Sequence, residues 1–206
     1  MAGAPIGDVG RDESGVSMFF AVQRLLTDAD LAYFYTDLLL NSPTTVKRAM
    51  DRQGIVKSTA YKYANELAEL GVAEERDEYE DGAALWTVEP VVGTWETETG
   101  ELVVSPVIIA VYGASTANDD IAYFRERYGD AALLNAVGET DAYLRGEQTR
   151  RGIAAALDVP AAAGIAVSQA IEAIIGRISP VDPAFPNHGD DVHERTIADA
   201  PYVVDA

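Results

Sequence analysis

Lys47, Arg48, Arg52, Lys57 and Lys62 are five of the fifteen basic residues and include every lysine, and the sixteen positions that hold them contain a single acid, Asp51. At the end of this stretch and just past it Ser58, Tyr61, Lys62 and Asn65 stand at i, i+3, i+4 and i+7, so a helix here would carry them on one face. Those residue types suit the reading of a nucleic-acid duplex. Asn65 can bond an adenine edge at two places, Ser58, Thr59 and Tyr61 can bond phosphate or base, and Lys62 supplies charge. Amides at the Ser58 end of the helix can receive a phosphate. Lys47, Arg48 and Lys57 would fix the helix on the backbone, which positions without specifying.

The rest of the chain pulls the other way. It holds 34 acidic against 15 basic residues, a formal charge of -19, and such a summed field repels phosphate. Three lysines against twelve arginines on so acidic a chain resemble the proteins of haloarchaea. At molar salt the Debye length is about 3 Å, so only local contacts matter and the place of each cation becomes the informative quantity. Absence of cysteine removes disulfides, thiolate metal sites and cysteine nucleophiles. No basic leader followed by an apolar run opens the sequence, and no stretch is read as reaching the roughly 18 apolar residues of a membrane span. The expected location is the cytoplasm.

Positioning the cationic face requires a small set of elements. Residues 1–15 read as an unstructured N-terminus. Val16 to Leu26 reads as a largely buried helix, with a partner subunit as one surface for it to meet. Thr27-Asp28-Ala29-Asp30 has the form of a capping box, and Leu31, Phe34, Tyr35, Leu38 and Leu39 then recur at helical spacing up to Asn41. Ser42-Pro43 reads as a cap with proline in the first turn of a second helix that stops at Gly54. Ser58 reads as the cap of a third helix, with Ala60, Ala64, Leu67 and Leu70 inward and Gly71 as its left-handed end. Val72 to Tyr79 and Ala83 to Val88 are strand candidates around the turn Glu80-Asp81-Gly82. Helix, helix, turn, helix and hairpin within residues 16–90 is the plan of a winged helix-turn-helix.

The stretch GIVKSTAYKYANELAELGVAEE resembles the recognition helix and following strand of haloarchaeal winged-helix transcription regulators, broadly TrmB-like and MarR-like. The resemblance implies a homodimer on an inverted-repeat operator in double-stranded DNA, with the third helix in the major groove. One departure stands out: the hairpin EERDEYEDG carries six acids and only Arg76, so no wing residue is assigned to DNA.

The second half reads as a strand-like connector over 91–106 and a helical domain over 107–179. A hairpin at Trp95 to Ser105 precedes the apolar Val107 to Tyr112, and helices follow at Asp119 to Tyr128 and Asp130 to Arg145. Residues 146–175 resemble a second helix-turn-helix, capped by Thr149 and turned at Asp158-Val159-Pro160. Its uses are dimerisation or core packing, or an auxiliary DNA contact through Arg150 and Arg151. Residues 180–206 read as an acidic, unstructured tail. His188 and His193, with Asp190, Asp191 and Glu194, lack the fixed spacing of a metal pair and are read as solvated, so no metal or cofactor is expected. Neither GxxxxGK[ST] nor GxSxG occurs, and an enzyme is not expected. The expected fold is therefore mainly α with a small β-hairpin wing, two modest domains in all. Function is left between two readings, a DNA-binding regulator and a winged-helix protein-interaction module in a transcription or replication assembly. The second would anchor on Tyr61 and Tyr63.

Overall fold

Asp28, in extended backbone, starts the helix that organises the first half: its carboxylate accepts from the Leu31 amide at 3.1 Å. The computed structural model describes residues 13–97 and 100–185. In chain order these form α1 (Glu13–Leu25), α2 (Ala29–Leu40), β1 (Thr44–Thr45), α3 (Val46–Gln53), α4 (Lys57–Glu69), β2 (Ala73–Glu80), β3 (Ala83–Val88), β4 (Gly93–Thr97), β5 (Gly100–Val104), α5 (Pro106–Ala114), α6 (Asp119–Tyr128), α7 (Asp130–Leu144), α8 (Arg150–Ala156) and α9 (Ala161–Ile178).

The first half is a winged helix-turn-helix. α2, α3 and α4 pack on an antiparallel sheet of order β1-β3-β2. β2 and β3 are joined by Asp81-Gly82, both at positive φ, which is the two-residue turn that lets a hairpin keep its twist. Three of the expected caps move. Asp28 rather than Thr27 caps α2, because the Thr27 hydroxyl instead donates to the Arg24 carbonyl. Ser42-Pro43 does not begin a helix: its Ser42 hydroxyl oxygen accepts from the Val88 amide, Thr44 and Thr45 pair with Trp86 and Leu85, and Thr45 caps α3. Two buried threonines thus make the sheet's short third strand, where β-branched side chains fit a pleated surface. Ser58 lies inside the first turn of α4, whose cap is Val56.

α1 begins earlier and is less buried than expected. Ala21, Val22 and Leu25 enter the core, while Val16, Phe19 and Phe20 stay exposed. The connector forms a separate two-stranded hairpin, β4-β5, and every residue of α5 is buried. α5 lies so close along α2 that a Cβ on Gly113 would fall 2.5 Å from the Tyr33 amide nitrogen. This contact merges the halves: one cluster of buried side chains runs from Ala21 on α1 to Ile178 on α9, where two modest cores were expected.

The bundle α6–α9 follows the expected boundaries closely, with Gly129 at φ +88 between α6 and α7 and Thr149 capping α8. α8 and α9 form the second helix-turn-helix pair, and each buries one face in the bundle, through Ile153 and Ala154 on α8 and Val167, Ile171 and Ile175 on α9. α9 is apolar and long enough, over Ala161–Val181, to match a membrane span in composition, contrary to the sequence reading. In the fold it packs against α5, α6, α7 and α8. Chain beyond residue 179 is also structured up to 185. Asp182 is buried, and one carboxylate oxygen accepts from the Ser105 hydroxyl at 2.6 Å and the Val107 amide at 2.7 Å, capping α5. Its other oxygen accepts from the amides of Ala184 and Phe185. His188, His193 and the acids beside them lie outside the described residues, as do residues 1–12.

Candidate nucleic-acid interface

α4 forms where the sequence turns from the left-handed Gly54 into a run with an alanine and leucine stripe. Ala60, Ala64 and Leu67 are fully buried against the sheet and α2, and Gly71 at φ +74 ends the run. Burying that stripe forces the opposite face outward, so Ser58, Tyr61, Lys62 and Asn65 are exposed together, as the spacing predicted. Lys57 joins them, its ammonium 5.6 Å from the Tyr61 ring centroid, a cation–π distance. Thr59 does not: it is half-buried and lines a cleft with Tyr33, Arg52, Tyr63 and Thr116. Whereas α2 and α3 are capped by side chains, none caps α4; the Thr59 amide donates to the Val56 carbonyl, and the amides of Lys57 and Ser58 are left open to a phosphate oxygen.

α3 supplies Lys47 and Arg48, both exposed. Arg48 is already engaged. Its guanidinium meets Glu80 at 2.7 Å and Asp81 at 3.8 Å, so the acidic wing tip folds back onto α3. Arg52 is committed to Asp37 of α2 through two nitrogens at 2.6 to 3.1 Å. The wing itself is an exposed acidic ribbon whose pairing register shifts between Glu75 and Tyr79.

This contrast between cations organises the site's electrostatics. Among the described residues Arg24, Arg48, Arg52, Arg76, Arg125, Arg145 and Arg150 form ion pairs, while no ion pair involves a lysine. Lys62 is felt by Asp28 at longer range. Partial burial works to raise that carboxyl, but the Leu31 amide, Arg24 and Lys62 together hold it below the ordinary carboxylate range. Composition had shown that the lysines cluster; their freedom from carboxylates depends on folding.

Two further sequence candidates are placed differently. Tyr63 is half-buried with its ring 5.6 Å from that of Phe34, and burial raises its phenol, so it turns from the exposed face. Arg150 bonds Glu172 at 2.7 Å and stacks 4.9 Å from the Tyr143 ring, which makes it a brace inside the helical bundle rather than a surface contact. Arg151 is exposed beside it. Sequence reasoning missed the Arg48 to Glu80 link, because opposite charges 32 positions apart meet only once the wing has folded.

A family model described as "Family of unknown function (DUF7437)" matches residues 115–180, from the end of α5 through α9. No curated protein matches the chain, and no solved structure does.

Proposed function

We propose that the protein is a transcription regulator that reads double-stranded DNA with α4 in the major groove, acting as a homodimer in the cytoplasm of a salt-loving archaeon. The observation that carries this reading is the exposed set of lysines on α3 and α4, none of them in an ion pair, in a chain of charge -19 whose described arginines are largely spent on internal ion pairs. An acidic surface that keeps its only lysines on one helix pair is built to meet negative charge there. Asn65, Tyr61, Lys62 and Ser58 then face the base edges and phosphates, and Lys47 and Lys57 flank them on the backbone.

The winged-helix protein-interaction alternative is supported less well. An interface of that kind centres on desolvated apolar or aromatic anchors, and with Tyr63 packed on Phe34 the face keeps only Tyr61 between Ser58 and Asn65, with Val56 exposed at the helix start. The regulator reading asks for no metal and no cofactor, and it leaves Arg150 to the core.

The reading is tested by selecting binders from a random double-stranded DNA pool with the full chain in molar KCl. Enrichment of one motif, arranged as an inverted repeat, is the expected result. A pool still random after repeated rounds would sink it. Binding should also fall only shallowly with salt in the molar range, because few phosphates are contacted and groove fit supplies the specificity.

A further inference from the structure

α1 carries two apolar faces. Met18, Ala21, Val22 and Leu25 form one, turned into or against the core. Val16, Phe19, Phe20 and Gln23, at i, i+3, i+4 and i+7, form the other, and there Val16 is 58%, Phe19 47% and Phe20 54% exposed. A helix lying on a protein surface normally turns charged residues outward. From Gly15 to Gln23 this one has none, in a chain of which 24% of residues are charged. Trp95 of β4 extends the ridge, its ring 6.3 Å from that of Phe19 and edge-on to it, and Phe19 and Phe20 meet in the same manner at 5.7 Å. Beside the ridge runs a cleft of about 360 Å³ between α1 and the end of α4, walled by Phe20, Gln23, Thr27 and Leu70 together with the charged Arg24, Glu66 and Glu69.

We infer that this ridge and cleft are the surface through which two copies of the chain associate, about a two-fold axis near Phe19 and Phe20. Three observations select a second copy as the occupant. A two-fold interface uses one patch twice, so the patch must hold both a projection and a recess; the aromatic ridge and its neighbouring cleft are such a pair. A second copy also carries -19 and is repelled by most of this surface, but least by the ridge, which has no charge from Gly15 to Gln23; of the two acids in the cleft beside it, Glu69 is the one not bonded to Arg24. Glu66 at the cleft's edge is neutralised by its bond to Arg24. The area is of the right order: about half of each ring is open, roughly 100 Å² apiece, so the four phenylalanines of two copies bring about 400 Å². Val16, Trp95 and the cleft walls extend this toward the ~1,200 Å² at the lower end of specific interfaces. Aromatic enrichment with charge depletion is the composition of an interface centre.

This gives a location to the dimer of the proposed regulator and rests on that reading only for the number of copies. The test contains no DNA, so its failure is distinguishable from failure of DNA binding. Sedimentation of the full chain in molar KCl, over a hundredfold range of concentration, should give twice the 22.0 kDa of one copy. The Phe19→Ser, Phe20→Ser double variant should sediment as one copy with an unchanged far-ultraviolet circular dichroism spectrum. Should that variant not fold, Ser17→Cys decides in its place, since the natural chain has no cysteine. A short bis-maleimide should join two Ser17→Cys copies and fail to join Tyr123→Cys copies, whose cysteine is exposed on α6. A wild type of single mass throughout, a folded double variant that still pairs, or cross-linking no better at position 17 than at 123 would each overturn the inference.

Discussion

A single carboxylate shows how charge and helix geometry are coupled beside the exposed face of α4. Asp28 caps α2, pairs with Arg24 at 2.8 Å and feels Lys62. Its carboxyl is held below the ordinary value of about 3.9. The sign follows: ionised Asp28 stabilises the fold above that value, and the contribution is lost as pH falls through the depressed one. Asp28→Ala should cost about 1 kcal/mol near neutrality, the usual worth of a cap. Asp28→Asn keeps an acceptor for the Leu31 amide, so its deficit should be smaller and should close as pH falls below about 4. Denaturant titrations of the three proteins across that range check this, and a pH-independent gap would remove charge from the explanation. At this scale the exposed polar face of α4 was legible, because helical spacing alone places Ser58, Tyr61, Lys62 and Asn65 together. Caps were legible only to within about three residues, since Thr27, Asp28, Ser42 and Thr45 can all cap and tertiary bonds chose among them. Asp182 was not legible at all: nothing near it signals structure, and its partners Ser105 and Val107 are more than seventy positions away.

Among the elements, the wing is the one whose chemistry conflicts with the proposed partner. In a cation-rich wing the β2-β3 turn would reach for phosphate; here it holds Glu80 and Asp81 against Arg48. On the proposed function, the wing would compete with DNA for one of the cations on α3. Replacing Glu80 by Gln and Asp81 by Asn should free Arg48 while keeping a turn that tolerates Asn at positive φ. Binding to the selected operator should tighten by a few fold at moderate salt, as expected for an exposed pair worth up to ~1 kcal/mol, and the gain should shrink as KCl approaches molar. Weaker binding in the variant, measured by fluorescence anisotropy, would mean that the pair orders α3 for DNA instead. The hairpin and three helices were readable because turn glycines and hydrophobic periodicity are local signals. β1 was not, being two threonines whose strand character exists only through pairing with Leu85 and Trp86.

For the whole molecule the consequential fact is the shared core. Because α5 is wholly buried and packs along α2, the winged segment and the bundle of α6–α9 stand or fall together. Unfolding should therefore be a single transition, with Trp86 and Trp95 fluorescence and far-ultraviolet circular dichroism coincident, as cooperative units require. Two separated transitions would mean that the halves are held by a weaker joint than the packing suggests. Sequence could not foresee this merger, because an apolar segment such as Val107 to Tyr112 declares that it is buried and not against what. The same merger joins the matched segment at 115–180 to the core that also holds α4. The central claim is that α4 reads DNA, and it is tested most directly by recovering DNA crosslinked to the tagged protein in its native host, comparing wild type with Lys62→Ala plus Asn65→Ala. The account predicts sharp peaks that share a palindromic motif and vanish in the double variant, whose fold is unchanged because both side chains are exposed. Wild type without enrichment, or peaks that survive the double substitution, would contradict it.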